Sequence, residues 1–428
     1  MRRTLLFILF LIGFNGLSKA QDAIQIMQYN TLYYGNTTSF CTSTNNAVDM
    51  KNEQFKIIFG HVQPDILTVN EMSGNPIMQD SLLNNALNVD GETKYKRGIL
   101  TNTATNDLVN MLYYNSEKLS LLKQDVIPTT IRPTDVFTLF YNAADLAWTK
   151  DTLFLTCIVT HLKAGSSSAD ASTRSSQTAS IMSYIQSHDL HNNYLFMGDL
   201  NMYTSTETAY QNLTKEYNGI YYLNDPINAP GDWNNNDAYK AIHTQSSHST
   251  SNGCASTGGL DDRFDFVLAS DAIMNGTDGF TVDVDSYSVL GNDALHFNTS
   301  IIGSPENSSA PAEVITALYN ASDHLPVLVQ LKTEQDYLGL EKTDSFAQVK
   351  FQNPVNQQMN LRIAFKEATS FEVRIYDLMG RVLIQASENR KSIQHQLSLE
   401  VNNLKSGIYF LHLKTDNGQE SVHKFFKN

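Results

Sequence analysis

The chain has 428 residues, a formal net charge of -14 and 41% hydrophobic side chains, with 20 Tyr and 21 Phe. This apolar content excludes a chain disordered throughout, and the length suits two unequal domains at roughly 100–200 residues per domain. The acidic balance excludes long-range attraction to nucleic acid or an anionic membrane, so a polyanionic substrate would need a metal ion or a local basic patch.

The chain opens with Met1-Arg2-Arg3, an apolar run from Leu5 to Ile12, and Ser18-Lys19-Ala20. A charged start, a short apolar run and a small-x-small end predict a signal peptide over residues 1–20, with the mature chain beginning at Gln21. The run falls short of the ~20 residues needed to cross a bilayer. No later segment is apolar enough to span, so the mature chain is expected to lack a transmembrane segment.

Short apolar, β-branched runs then recur from Ile24 to Asn30, Asp65 to Glu71, Asp151 to His161, Tyr194 to Asp199, Arg263 to Ala269 and Leu325 to Leu331. They read as buried strands. Helical stretches lie between them, at Asp49 to His61 and Arg174 to His188, and the alternation predicts an α/β architecture. From Pro230 through Gly259 the composition turns to Asn, Ser, Thr and Gly, which predicts a long surface loop beside the substrate or a tolerated insertion. The charged stretch from Lys332 to Asp336 opens a linker over residues 333–349. Beyond it, strands and turns without helical periodicity predict a small all-β domain over residues 350–428. Three cysteines allow one disulfide at most, and Cys157, inside a strand-like run, reads as a core residue.

Polar residues at the ends of these strands are the chemically informative feature, because several strand ends can converge on one sheet edge. They are Asn30, Glu71, His161, Asp199, Asn201, Asp265, Asp323 and His324. Taken singly, each fits a turn or a satisfied structural group. Together they offer mostly oxygen donors, which suit Mg²⁺, Mn²⁺ or Ca²⁺. His243, His248 and Cys254 match no standard zinc spacing.

Gly198-Asp199-Leu200-Asn201 and Ser322-Asp323-His324-Leu325-Pro326, preceded by Glu71 and His161, resemble the motifs of the endonuclease/exonuclease/phosphatase superfamily, which includes deoxyribonuclease I. The resemblance covers about Ile24 to Lys332 and implies a two-sheet β-sandwich flanked by helices, a catalytic domain assigned to residues 21–332. It implies Asn30, Glu71 and Asp323 as metal ligands, with Glu71 the principal one. His324, oriented by Asp265, would be the general base; Asp199 and Asn201 would position nucleophile and phosphate, and His161 would donate a hydrogen bond or proton. One departure is Asn70, where the superfamily commonly has Gln; it is expected to disturb the geometry behind the metal site. Arg174 is a candidate phosphate contact, the alternative being a helix-start Arg in solvent. Asn110 to Tyr114 resembles the strand preceding the histidine strand.

Phe351-Gln352-Asn353-Pro354-Val355, Ile375-Tyr376-Asp377 and Leu404-Lys405-Ser406-Gly407-Ile408-Tyr409-Phe410 resemble the C-terminal sorting domain of type IX secretion, a small β-sandwich. This implies a monomeric protein handed to secretion machinery and either released or held at the outer surface of a Gram-negative cell. The reading of the whole is a secreted nuclease acting on DNA or RNA. A sphingomyelinase-like phospholipid phosphodiesterase, with Trp233 as its one exposed aromatic, and a non-catalytic binding protein on the same scaffold are the alternatives.

Overall fold

The computed structural model describes residues 22–100, 108–143, 152–215, 223–333, 346–377, 380–416 and 420–428. The signal peptide expected over residues 1–20 and residues 334–345 of the expected linker lie outside the described residues.

Two sheets form the heart of the larger unit. The first contains β1 (Asp22–Tyr34), β2 (Ile66–Ser73), β3 (Tyr95–Arg97), β4 (Leu108–Asn115), β10 (Phe280–Val289) and β11 (Val327–Thr333), in the order β10-β11-β1-β2-β4-β3. The second contains β5 (Leu119–Ile127), β6 (Thr134–Tyr141), β7 (Phe154–His161), β8 (Tyr194–Asp199) and β9 (Asp265–Ala269), paired in chain order. Both are covered outside by helices: α1 (Val48–Val62) and α6 (Ala312–Ala321) on the first, α3 (Ser168–Ser187) and α4 (Thr208–Thr214) on the second. The short helices α2 (Pro76–Leu82) and α5 (Asp271–Asn275) fill connections.

Strand periodicity dictates this layering. In β7, Leu155, Cys157 and Val159 join the core between the sheets, while Ile158 turns to the core under α3. In β8, Leu195 and Met197 face inward and Phe196 outward; in β9, Val267 and Ala269 face inward and Phe266 and Leu268 outward. Successive side chains point to opposite faces, so a strand covered on both sides must be apolar throughout. That is why these strands were legible as continuous apolar runs. α3 begins earlier than the apolar pattern predicts, because Ser167 and Asp170 form a capping box in which each side chain accepts from the other's backbone N–H.

The stretch from Pro230 to Gly259 is not the surface loop expected. Trp233 is fully buried against Tyr210 and Phe266, and its indole N–H donates to Ala229 O at 2.9 Å. A 3₁₀ turn follows at Asp237–Ile242, and His243 and His248 are buried. Cys254 forms a disulfide with Cys41 in the β1–α1 connection, and Cys157 is a buried free thiol. Polar composition misleads here because hydrogen bonds, rather than apolar packing, hold much of the segment down.

One carboxamide joins the sheets. Asn70 in β2 accepts from Gln28 Nε2 in β1 at 2.7 Å and from the Asp199 backbone N–H in β8 at 2.9 Å. Its Nδ2 donates to Asn110 Oδ1 in β4 at 2.7 Å and to Thr160 O in β7 at 3.0 Å. Both acceptor and both donor positions of the amide are filled. The side chain, shorter than the Gln that the resemblance leads one to expect, is completely bonded.

The C-terminal unit is all-β: β12 (Phe346–Lys350), β13 (Gln358–Tyr376), β14 (Val382–Glu400), β15 (Gly407–Thr415) and β16 (Glu420–Lys427). The first half of β13 pairs with β12 and the second half with β15, with register shifts between Ala364 and Phe371. Leu361 and Ile363 before the shifts, and Val373 and Ile375 after them, enter one core with Leu411 and Phe425. A bulged, bent strand lets both halves of the sheet enclose that core.

Replacing Asn70 by Ala would strand four buried partners, each worth ~1 kcal/mol when bonded and more when orphaned. We expect Asn70→Ala to lower the unfolding free energy by about 3 kcal/mol in urea titration, with little change in the denaturant slope.

Candidate functional site

The candidate residues converge at one edge of the sandwich because strand register carries them there. His161 pairs with Asp199 across the parallel β7 and β8, and Asp199 pairs with Asp265 across β8 and β9. In the facing sheet, Asn30 pairs with Asn70 across β1 and β2, next to Glu71. Gly198 permits the close approach of β7 and β8: a Cβ there would lie 1.8 Å from Thr160 O, and its φ is +149°.

The backbone is irregular where the side chains are aimed. Ladder register shifts between Asn30 and Tyr34 and between Val69 and Met72. Leu32, Tyr33, Glu71 and Asn201 all adopt the left-handed conformation, with φ of 45°, 49°, 57° and 50°. Non-glycine residues held there are strained, and bulges re-aim side chains at strand ends.

The result is a buried cluster of carboxylates and imidazoles. His161 Nε2 lies 3.4 Å from Asp199 Oδ2 and 3.9 Å from Glu71 Oε1. Asn30 Nδ2 donates to Asp199 Oδ2 at 2.9 Å, and Asn30 Oδ1 accepts from Leu32 N at 3.0 Å. Glu71 Oε2 accepts from Tyr33 N at 3.1 Å. His324 Nδ1 donates to Asp265 Oδ2 at 2.7 Å, and its Nε2 lies 3.8 Å from Asp199 Oδ2. Asn201 is held by its own N–H to Asp199 Oδ1 at 3.0 Å. Asp323 Oδ2 accepts from Ser256 N at 2.7 Å.

Electrostatics follow from this crowding. Burial, then the nearby Asp323, raise the pKa of Glu71. Burial also raises Asp199, with Asp265 and Glu71 adding to it. Burial alone would lower His324, but Asp265, Asp199 and Asp323 outweigh it and raise the imidazole well above its ordinary range. His161 goes the other way: burial, Arg132 and His324 push it well below, so it stays neutral.

The donor set fits a divalent cation. Glu71, His161 and Asp199 each present a ligand atom within 4.8 Å of the others. Among the described residues, no hydrogen-bond partner reaches the buried Asp323 Oδ1 or His161 Nδ1. Raised carboxylates and orphaned acceptors are what a hard cation would relieve.

Two further residues belong to the site and were not singled out in the sequence. Gln245, in the stretch expected to be loop, sets its Nε2 2.6 Å from His324 Nε2. Arg132 donates through Nε to His161 O at 3.1 Å and through Nη2 to Leu162 O at 2.6 Å, beside Glu71 and Asp199. The Arg132-Pro133 step before β6 was a visible strand-start signal; Gln245 had none. Arg174 is placed elsewhere. It is buried, its Nε and Nη2 meet Glu207 Oε2 at 2.8 Å, and Nη1 donates to Lys163 O and Gly165 O. With its donors so engaged, it is neither the solvent-exposed Arg nor the phosphate contact considered from the sequence.

Residues 351–428 match the family model of the secretion system C-terminal sorting domain. No curated protein matches the chain. Among solved structures, the chain is similar to an endonuclease/exonuclease/phosphatase from Bacteroides vulgatus, at 15% identity and a TM-score of 0.46, covering 73% of this chain and 100% of that one. A protein of the same description from Beutenbergia cavernae DSM 12333 has 14% identity and a TM-score of 0.42, covering 94% of this chain and 99% of that one. TDP2 of D. rerio, complexed with single strand DNA product, has 13% identity and a TM-score of 0.45, covering 73% and 100%. The first two carry the name of the superfamily whose motifs the sequence resembles.

Glu71→Gln is expected to weaken Mn²⁺ binding by about tenfold or more in isothermal titration, since it removes a charged oxygen ligand. Arg174→Ala should leave Mn²⁺ binding unchanged while lowering the unfolding free energy by about 3 kcal/mol, the cost of leaving Glu207 buried and unpaired.

Proposed function

We propose that this chain is a secreted, divalent-metal-dependent phosphodiesterase that hydrolyses DNA or RNA, with His324 as general base. The observation that carries the reading is the Asp265-His324 pair at 2.7 Å, with His324 Nε2 3.8 Å from Asp199 Oδ2, beside the Glu71, His161 and Asp199 group.

A carboxylate only accepts, so Asp265 fixes the proton of neutral His324 on Nδ1 and leaves the Nε2 lone pair, which accepts from the Gln245 amide at 2.6 Å, as the one that meets water once that amide gives way. Nε2 takes a proton from water, the water oxygen bonds to phosphorus, and the bond from phosphorus to the leaving alcohol oxygen breaks. Asp199 and Asn201 position the attacking water and the phosphate. His161, held neutral, donates a hydrogen bond to a phosphoryl oxygen. Arg132 adds positive charge from the end of β7. Glu71, Asn30 and Asp323, with Asp199 and His161 close by, would hold a divalent cation, which when bound would supply charge neutralisation on the phosphoryl oxygens.

The phospholipid alternative has lost its aromatic anchor, because Trp233 is buried rather than exposed. The match to a sorting domain supports export, with residues 351–428 read by the type IX machinery and either cleaved or used for surface attachment. No helix of the described residues is long and apolar enough to cross a membrane.

His324→Ala should lower kcat for nucleic-acid cleavage by about 10²- to 10⁴-fold with little change in KM, and chelator should abolish the wild-type activity. The raised pKa of His324 keeps the base protonated at neutral pH, so kcat/KM should climb with pH to a midpoint above the ordinary imidazole value of ~6.5. Asp265→Asn removes one cause of that rise, and should move the midpoint down while lowering the plateau. Deleting residues 351–428 should retain the protein in the cell fraction on immunoblots, whereas the full chain appears at the surface or in the medium.

A further inference from the structure

A polar cavity of about 670 Å³ opens beside the cluster, walled by the β1–α1 connection, the β2–α2 connection and the residues entering β6. It shares two walls with the site. Tyr33 lines it and donates its backbone N–H to Glu71, and Arg132 lines it while bonded to the carbonyl of His161. Asn36, Thr37, Thr38 and Asn75 supply amides and hydroxyls, and among the described residues none that line it is acidic.

We propose that this cavity holds the sugar and base of the nucleotide attached to the scissile phosphate, so that the preferred substrate is single-stranded nucleic acid rather than duplex. Four features carry the assignment. The volume suits a small organic group bound in a cleft, within the usual range of ~300–1,000 Å³. Arg132 disfavours a cationic head such as choline, which is recognised by aromatic cages, and it favours a phosphate-bearing unit. Tyr33 lines the cavity with its ring packed edge-to-face against Phe40 at 5.5 Å, which restricts its plane, and an aromatic ring in a cavity wall is the kind of group on which a base stacks. The wall is also preorganised. Thr38 Oγ1 accepts from Cys41 N at 2.8 Å, and Cys41 is tied by its disulfide to Cys254, so little ordering is left to binding. A base paired within a duplex cannot enter a concave cavity without being extruded from the stack, whereas an unpaired base presents its face and edge directly.

The orientation of the nucleotide rests on the phosphodiesterase reading; its binding does not. The test is fluorescence anisotropy of 5′-labelled trithymidylate with the purified full-length chain, in chelator so that nothing is cleaved. We expect saturable binding, weakened by about tenfold in Tyr33→Leu through lost stacking and similarly in Thr37→Glu, which puts a negative charge at the exposed rim. A blunt duplex at equal nucleotide concentration should fail to compete. Thermal melting of each variant checks that it is folded. Absence of binding by the wild type, wild-type affinity in both folded variants, or equal competition by duplex would each overturn the proposal. Failure of the catalytic reading shows separately, as no hydrolysis of bis(4-nitrophenyl) phosphate by the wild type with Mg²⁺ or Mn²⁺, whatever the anisotropy result.

Discussion

The Asn70 carboxamide is the joint on which the site depends. It bonds to β1, β4, β7 and β8 from its place in β2, and so sets how the two sheets meet at the edge where function is concentrated. A buried amide with every donor and acceptor filled tolerates almost no displacement, because any shift leaves a desolvated group unpaired. Its chain neighbour is Glu71, and one of its partners is the backbone N–H of Asp199. The relative position of these two carboxylates, one from each sheet, is therefore fixed by the same side chain.

That precision opposes the local electrostatics. Glu71, Asp199, Asp265 and Asp323 are gathered where water is largely excluded, and like charges in a low-dielectric setting disfavour one another. Among the described residues, His324 bonded to Asp265, Arg132 bonded to the end of β7, and the buried Lys51 beside Asp323 and Glu71 answer this. The left-handed backbone at Leu32, Tyr33, Glu71 and Asn201 belongs to the same balance, since strained positions persist only where surrounding structure over-determines them. Carboxylates gathered at such a cost in stability are what a bound cation would relieve.

The stretch around Gln245 completes the enclosure. Ser256 N bonds to the Asp323 carboxylate, Ser247 N to the Asp323 carbonyl, and Gln245 reaches the His324 ring. The Cys41–Cys254 disulfide links this stretch to the connection that walls the adjoining cavity. One covalent tie thus serves both the surroundings of His324 and the cavity beside them, although its residues come from chain segments far apart.

The sequence by itself determined the strands buried on both faces, since those must be apolar throughout, and it marked their polar ends: Asn30, Glu71, His161, Asp199 and Asp265. Because a strand is a rigid, nearly straight element, naming its last residue nearly names that residue's place on the sheet edge. The C-terminal all-β unit was legible for a similar reason, as strands broken by turns, and its likeness to a sorting domain was carried by its motifs. Only the tertiary structure decided the rest. Trp233 packs on the distant rings of Tyr210 and Phe266, and His248 on that of Tyr319, contacts that leave no periodic trace. Arg174 looked available from its helix position alone, yet Glu207 and two carbonyls of a preceding turn claim its donors. Gln245 joins the site through a side-chain hydrogen bond across 79 positions of chain, and Arg132 through two, across 29 and 30. Pairings of that kind are set by how the sheets close on each other, and local composition carries no record of them.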